Sequence, residues 1–166
     1  MVESETYLWS GIFGDLNSYD QLSVTRLVEE GGAIEGTAEE IMMRLKRTRT
    51  LALLRVEATD RIVGLAALKT PNQRYRADKF AAAGVPIFGY ETAPELGYVA
   101  IAGGMQGRRL SGDLVDAIAK NIREPAFAST DNNTMRNNLQ RSGFNRVGQE
   151  WPGQKGALSL WTITPR

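Results

Sequence analysis

Between Glu95 and Gly112 the chain carries a strand-like run followed by a turn dense in hydrogen-bond donors. Glu95-Leu96-Gly97-Tyr98-Val99-Ala100-Ile101 reads as a strand. After Ala102–Met105, the segment Gln106-Gly107-Arg108-Arg109-Leu110-Ser111-Gly112 reads as a glycine-rich turn that opens a helix near Asp113. Such a turn aims free backbone N–H groups at one point, where the helix dipole adds partial positive charge. Phosphate suits that arrangement. Arg108 and Arg109 add charge-assisted donors. The pattern points to a nucleotide-type ligand.

The absences narrow the chemistry. The chain has no Cys and no His, which excludes disulfides, thiol nucleophiles, zinc sites with Cys or His ligands, and a Ser-His-Asp triad. Acid–base work near neutral pH falls to Glu, Asp, Tyr, Lys, the N-terminal amine or water. A carboxylate-only magnesium or calcium site stays open, but no DxDxDG-like loop supports one, and no metal is expected. A length of 166 residues fits one domain, 1–166, with a proper core. The net charge of +1, from 20 basic and 19 acidic residues, gives no pull toward nucleic acid or anionic membrane. No apolar run approaches the ~20 residues of a membrane span. The acidic N-terminus (Glu3, Glu5) does not read as a signal peptide, so a cytoplasmic protein is expected.

The elements that must position the turn follow from periodicity and punctuation. Tyr7 to Phe13 suits a first strand. Tyr19–Glu30 reads as an amphipathic helix stopped by Gly31-Gly32, and a second helix starts at Thr37, with Glu40 completing a capping box. Leu51–Ala58 and Arg61–Lys69 read as strands joined at Thr59-Asp60. Asn72–Gly84 is partly helical and Val85–Pro94 is a loop. Helices are expected over Ser111–Arg123 and Asn133–Arg141, the latter ended by Gly143. Ala126–Thr130, Phe144–Glu150 and Ala157–Ile163 complete the strands.

This order and two motifs resemble the GNAT superfamily of acetyl-CoA-dependent N-acetyltransferases. The first motif, Gln/Arg-x-x-Gly-x-Gly/Ala after a central strand, is met by Gln106 and by Ser111 as a small-residue stand-in; Arg109 replaces its first glycine. The second is Asn132, a helix, then Gly143-Phe144. The resemblance runs from Tyr7 to Ile163. It implies an α/β fold with a mixed central sheet flanked by helices. It also implies that acetyl-CoA lays its pantetheine arm along the backbone of Val99, Ala100 and Ile101, with its pyrophosphate on the amides of Gln106 to Gly112. Asn132 would contact the arm, besides capping its helix. At Arg109 a positive φ would cost on the order of 1 kcal/mol, whereas a helical φ would cost nothing.

The same resemblance implies a role for Glu95 as the base that takes the amine proton, directly or through water. A solvent-facing strand-end Glu is the equal alternative. The family's usual tyrosine acid falls on Leu139, so Tyr98, Tyr90 or water remains to protonate the leaving thiolate. The segment Asn72–Pro94 lies where the family receives its acceptor, and Tyr75, Arg76, Lys79, Phe88, Tyr90 and Glu91 are candidates to line that pocket. Trp9, Trp151 and Trp161 read as core or interface aromatics, and the basic run Arg44–Arg49 as a solvated helix end. The expected activity is transfer of acetyl from acetyl-CoA to a primary amine, small molecule or peptide, without a covalent enzyme intermediate. A non-catalytic acyl-CoA sensor and a toxin-like enzyme acting on aminoacyl-tRNA are the alternatives. A homodimer is an open possibility, common among symmetric assemblies.

Overall fold

The computed structural model describes residues 5–31, 34–105 and 109–165. The chain runs β1 (Thr6–Gly11), a 3-10 turn (Phe13–Asp15), α1 (Ser18–Gly31), α2 (Ala38–Lys46), β2 (Thr50–Val56) and β3 (Ile62–Lys69). It continues through α3 (Gln73–Ala83), β4 (Glu95–Ile101), α4 (Leu110–Ala119), β5 (Ala126–Thr130), α5 (Asn133–Arg141), β6 (Asn145–Pro152) and β7 (Ala157–Ile163). The strands form one mixed sheet in the order β1-β2-β3-β4-β5-β7-β6. Every neighbouring pair is antiparallel except β4 and β5, which run parallel.

Helices cover both faces of the central strands. Leu51, Leu53, Leu65 and Ala67 point toward α1 and α2, where they meet Val24, Leu27, Ile41 and Leu45. Ala52, Leu54, Val63 and Ala66 point the other way, against Leu114, Val115 and Ile118 of α4. Burial on both faces explains why β2 and β3 read as nearly continuous apolar runs. Helix α3 lies on the α1 side, with Phe80 packed edge-on to Phe127 of β5 at 5.5 Å between ring centres.

Side-chain caps fix where three helices begin. The Thr37 hydroxyl accepts from Glu40 N–H at 3.2 Å, Asn72 Oδ1 from Tyr75 N–H at 2.7 Å, and Asn132 Oδ1 from Met135 N–H at 3.0 Å. Each such cap is worth about 1 kcal/mol.

Several boundaries differ from the sequence reading by one or two residues and one by four, and two of the differences have a plain physical cause. The first strand stops at Gly11, because Phe13 turns inward and is fully buried beneath α1 and α2. Helix α4 stops at Ala119 rather than Arg123. Tight i to i−3 bonds from Asn121 N–H to Ile118 O and from Ile122 N–H to Ala119 O swing Ile122 into the core. Pro125 then bars a helical Glu124.

Candidate active site

A bulge in β4 creates the site. Glu95, Leu96 and Gly97 lie opposite Lys69, Leu68 and Ala67, but the next pairs are Ala100 with Leu65 and Ile101 with Gly64. Tyr98 and Val99 together therefore oppose the single residue Ala66. Tyr98 takes a left-handed conformation, φ 55°, which a non-glycine residue adopts only at a cost. On its other side β4 pairs with β5 at one point alone, Glu95 with Phe127. Beyond that pair the strands part.

The parting opens a cleft of about 1180 Å³, walled by Gly97, Tyr98, Val99 and Ile101 of β4 and by Ser129 and Thr130 of β5. Arg109, Leu110 and Ser111 close it at the start of α4, Asn132 at the start of α5, and Pro152–Lys155 at the turn between β6 and β7. Ala100 points to the opposite face, toward the α1 side. Gly112 sits behind the wall, where an added Cβ would come within 3.1 Å of Asn138 Oδ1. Gln106, Gly107 and Arg108 lie outside the described residues.

Arg109 has φ 60° and ψ 21° and takes the N-cap position of α4. The left-handed shape that glycine would supply is kept, so the conformational cost foreseen for this position applies. Sequence reasoning missed the partner of Ser111. Asn138, buried in the latter half of α5, donates from Nδ2 to Ser111 Oγ at 3.0 Å and ties the start of α4 to α5. Asn138 lies six residues after Asn132, in a helix read only for its cap, and polar burial there has no local signal.

Glu95 is 3% exposed and lies behind the cleft wall rather than on it. Lys69 Nζ stands 2.8 Å from Oε1, and the Tyr75 hydroxyl donates to Oε2 at 3.0 Å. The lysine contact is an ion pair without hydrogen-bond alignment, so Oε1 accepts no hydrogen bond. Lys69 Nζ also lies 4.4 Å from the centre of the Tyr98 ring. Burial first, and then the neighbouring Glu95 charge, push the Tyr75 phenol far above its ordinary value, so it acts as a protonated donor. The carboxylate is thus neither solvent-facing nor bare: a cation and a phenol hold it.

Of the six candidates in the segment Asn72–Pro94, only Tyr75 and Lys79 meet this group. Arg76 is buried and spends its guanidinium on backbone carbonyls, with Nε to Ala93 O at 2.9 Å, Nη1 to Glu91 O at 2.8 Å and Nη2 to Pro71 O at 3.0 Å. It staples the loop leading into Glu95. Tyr90 stacks on Phe80 at 5.4 Å, Glu91 accepts from Gly89 N–H, and Phe88 is exposed. Leu139 is fully buried in the core and presents nothing to the cleft. Among the described residues no group of His, Cys, Asp or Glu is arranged to hold a metal ion, and no helix is long and apolar enough to cross a membrane.

No protein-family model matches the sequence, and no curated protein does. Solved structures match it across nearly its whole length. A GNAT-family acetyltransferase from Streptococcus agalactiae is 12% identical, with a TM-score of 0.69 over 96% of each chain. An acyl-CoA N-acyltransferase from Pseudomonas aeruginosa is 11% identical, with a TM-score of 0.66 over 96% of this chain and 100% of that one. N-acetylglutamate synthase from Neisseria gonorrhoeae, solved with coenzyme A and L-arginine, is 16% identical with a TM-score of 0.58; the match covers 98% of this chain and 34% of that one. The chain therefore has the fold of the GNAT acetyltransferases: a mixed seven-stranded sheet between two helical layers.

Proposed function

We propose that the protein, with residues 1–166 as one transferase domain, moves an acetyl group from acetyl-CoA to a primary amine. The observation that carries this reading is the parting of β4 from β5 beside the start of α4. It leaves the β5-facing main-chain edge of β4 along Val99, Ala100 and Ile101 without a strand partner, and an extended chain bearing amides can pair there as an added strand. The pantetheine arm is such a chain. Leu110, Ser111 and Gly112 open α4, where free N–H groups and the dipole suit a diphosphate; Gln106, Gly107, Arg108 and Arg109 complete that turn in sequence. Asn132 Oδ1 is spent on its helix cap, so its amide N–H groups serve the arm.

Acetyl-CoA supplies the thioester. Backbone N–H beside the bulge polarises its carbonyl. The amine nitrogen bonds to the acetyl carbon as the carbon–sulfur bond breaks. Glu95, behind the wall, receives the ammonium proton through water, and Tyr98, on the cleft wall, returns one to the departing thiolate. The buried leucine at the family's acid position favours a second reading, a domain that binds acyl-CoA without turning it over.

A melting experiment tests the binding half of the proposal. Acetyl-CoA at ~100 times its dissociation constant adds about 2.7 kcal/mol to stability. Ser111→Glu removes the shift, since an acid at a helix start suits the fold but repels phosphate. No shift with millimolar acetyl-CoA or CoA would sink the reading.

A further inference from the structure

We propose that the acceptor carries an anionic group beside its amine, received by Lys79 and Lys155 on the wall of the cleft; this rests on the transferase reading above. Lys79 comes from α3 and Lys155 from the turn between β6 and β7, and both line the cleft. Among the described residues neither enters an ion pair. Lys79 is partly buried, with Nζ 5.0 Å from the Tyr75 ring centre and 6.0 Å from that of Trp151. Its ammonium is steadied by aromatic faces and keeps its charge free for a ligand.

The carboxylate behind the wall does not offset these charges, because Lys69 already neutralises Glu95. Asp131, the acid on the wall itself, is exposed and sits just before α5. Arg109 stands at the start of α4, on the other face of the sheet from α3. The cleft wall therefore offers two ammonium groups that enter no ion pair among the described residues. A polycationic amine meets repulsion there. An amine that also bears a carboxylate or phosphate gains charge-assisted hydrogen bonds.

Matched pairs test this by release of free CoA thiol: L-phenylalanine against its carboxamide, O-phosphoethanolamine against ethanolamine, and spermidine as the polycation. The anionic member of at least one pair is expected to have kcat/KM about tenfold or more above its neutral partner, as one charged hydrogen bond would give. The responding pair tells carboxylate from phosphate. Lys79→Met keeps the stem, raises KM for the anionic amine more than it lowers kcat, and narrows the preference; adding Lys155→Met narrows it further. Equal or faster turnover of spermidine or the neutral partners overturns the proposal. So does a preference unchanged in the double variant, or no turnover of any anionic amine by protein that binds acetyl-CoA. Those results leave the cofactor reading standing, whereas failure to bind acetyl-CoA overturns the parent reading itself.

Discussion

The Cβ that Gly97 lacks would stand 2.8 Å from Cδ of Lys69. The lysine stem crosses β4 through the space this glycine leaves, and that path brings its ammonium to Glu95 and onto the Tyr98 ring. Gly97→Ala pushes on a flexible side chain rather than on backbone, so the fold should lose only about 1 kcal/mol. The ammonium is displaced, and turnover should drop roughly tenfold or more from mispositioning. Steady-state rates beside melting curves check this. A lower melting temperature with an unchanged rate would show that the Lys69 path matters only to folding.

Glu95→Gln keeps the shape of the side chain and removes its basicity. Turnover should drop on the order of 10²-fold, the scale of a lost general base. Acetyl-CoA affinity should hold, since the residue lies behind the cleft wall. The change also leaves Lys69 without its counter-charge, which can cost about 3 kcal/mol or more. The pair Glu95→Gln with Lys69→Met removes both charges and recovers stability. If it recovered the rate as well, Glu95 would be a strut and not a base.

Arg109→Gly separates conformation from charge. The left-handed N-cap costs Arg109 on the order of 1 kcal/mol, so glycine should hold or raise stability even after its own entropy is counted. If the phosphates sit at this turn as proposed, acetyl-CoA should nevertheless bind more weakly for want of the guanidinium. Tighter binding by the glycine variant would show that the arginine obstructs the turn.

Tyr75 gives a pH signature. Its phenol titrates near 10.0 in the unfolded chain and is pushed well above that when buried beside Glu95. The unfolded chain therefore gives up this proton first as pH rises. The stabilising contribution is complete below pH 10.0 and declines above it, by up to about 1.4 kcal/mol per pH unit. Tyr75→Phe removes that slope. Melting temperature followed from about pH 9 to about pH 12 should decline less steeply in the variant; parallel curves would contradict the buried donor.

Much of the frame was legible because it rests on local signals. The limits of β4 and β5 follow from apolar runs that begin after Pro94 and Pro125, those of the polar helix α5 from Asn132 and Gly143, and Thr37 with Glu40 marks the start of α2. The departures at Arg109 and Leu139 were legible too, as residues standing in motif positions. The interior of the site was not. Nothing local marks Tyr98 for a left-handed turn, since the bulge is set by how β3 and β4 align. Lys69 and Glu95 end and begin strands separated by the whole of α3, and their pairing depends on the loop that Arg76 staples. Arg76 itself read as a pocket residue, because a charged side chain on a helix gives no hint that backbone carbonyls will absorb it.

A sheet of seven strands ordinarily has two rims. This one has four, because β4 and β5 part after a single pair and turn two raw margins toward each other inside the molecule. Outer rims invite strands from other molecules. The inner pair lies in a gap closed at its ends by α4, α5 and the β6–β7 turn, with room for one slender chain and none for a second sheet. The protein thus keeps an unfinished seam at its centre that a narrow guest can complete. Amide protons of Val99 and Ile101 should exchange with solvent faster than those of Leu53 in β2, and slow when that guest arrives.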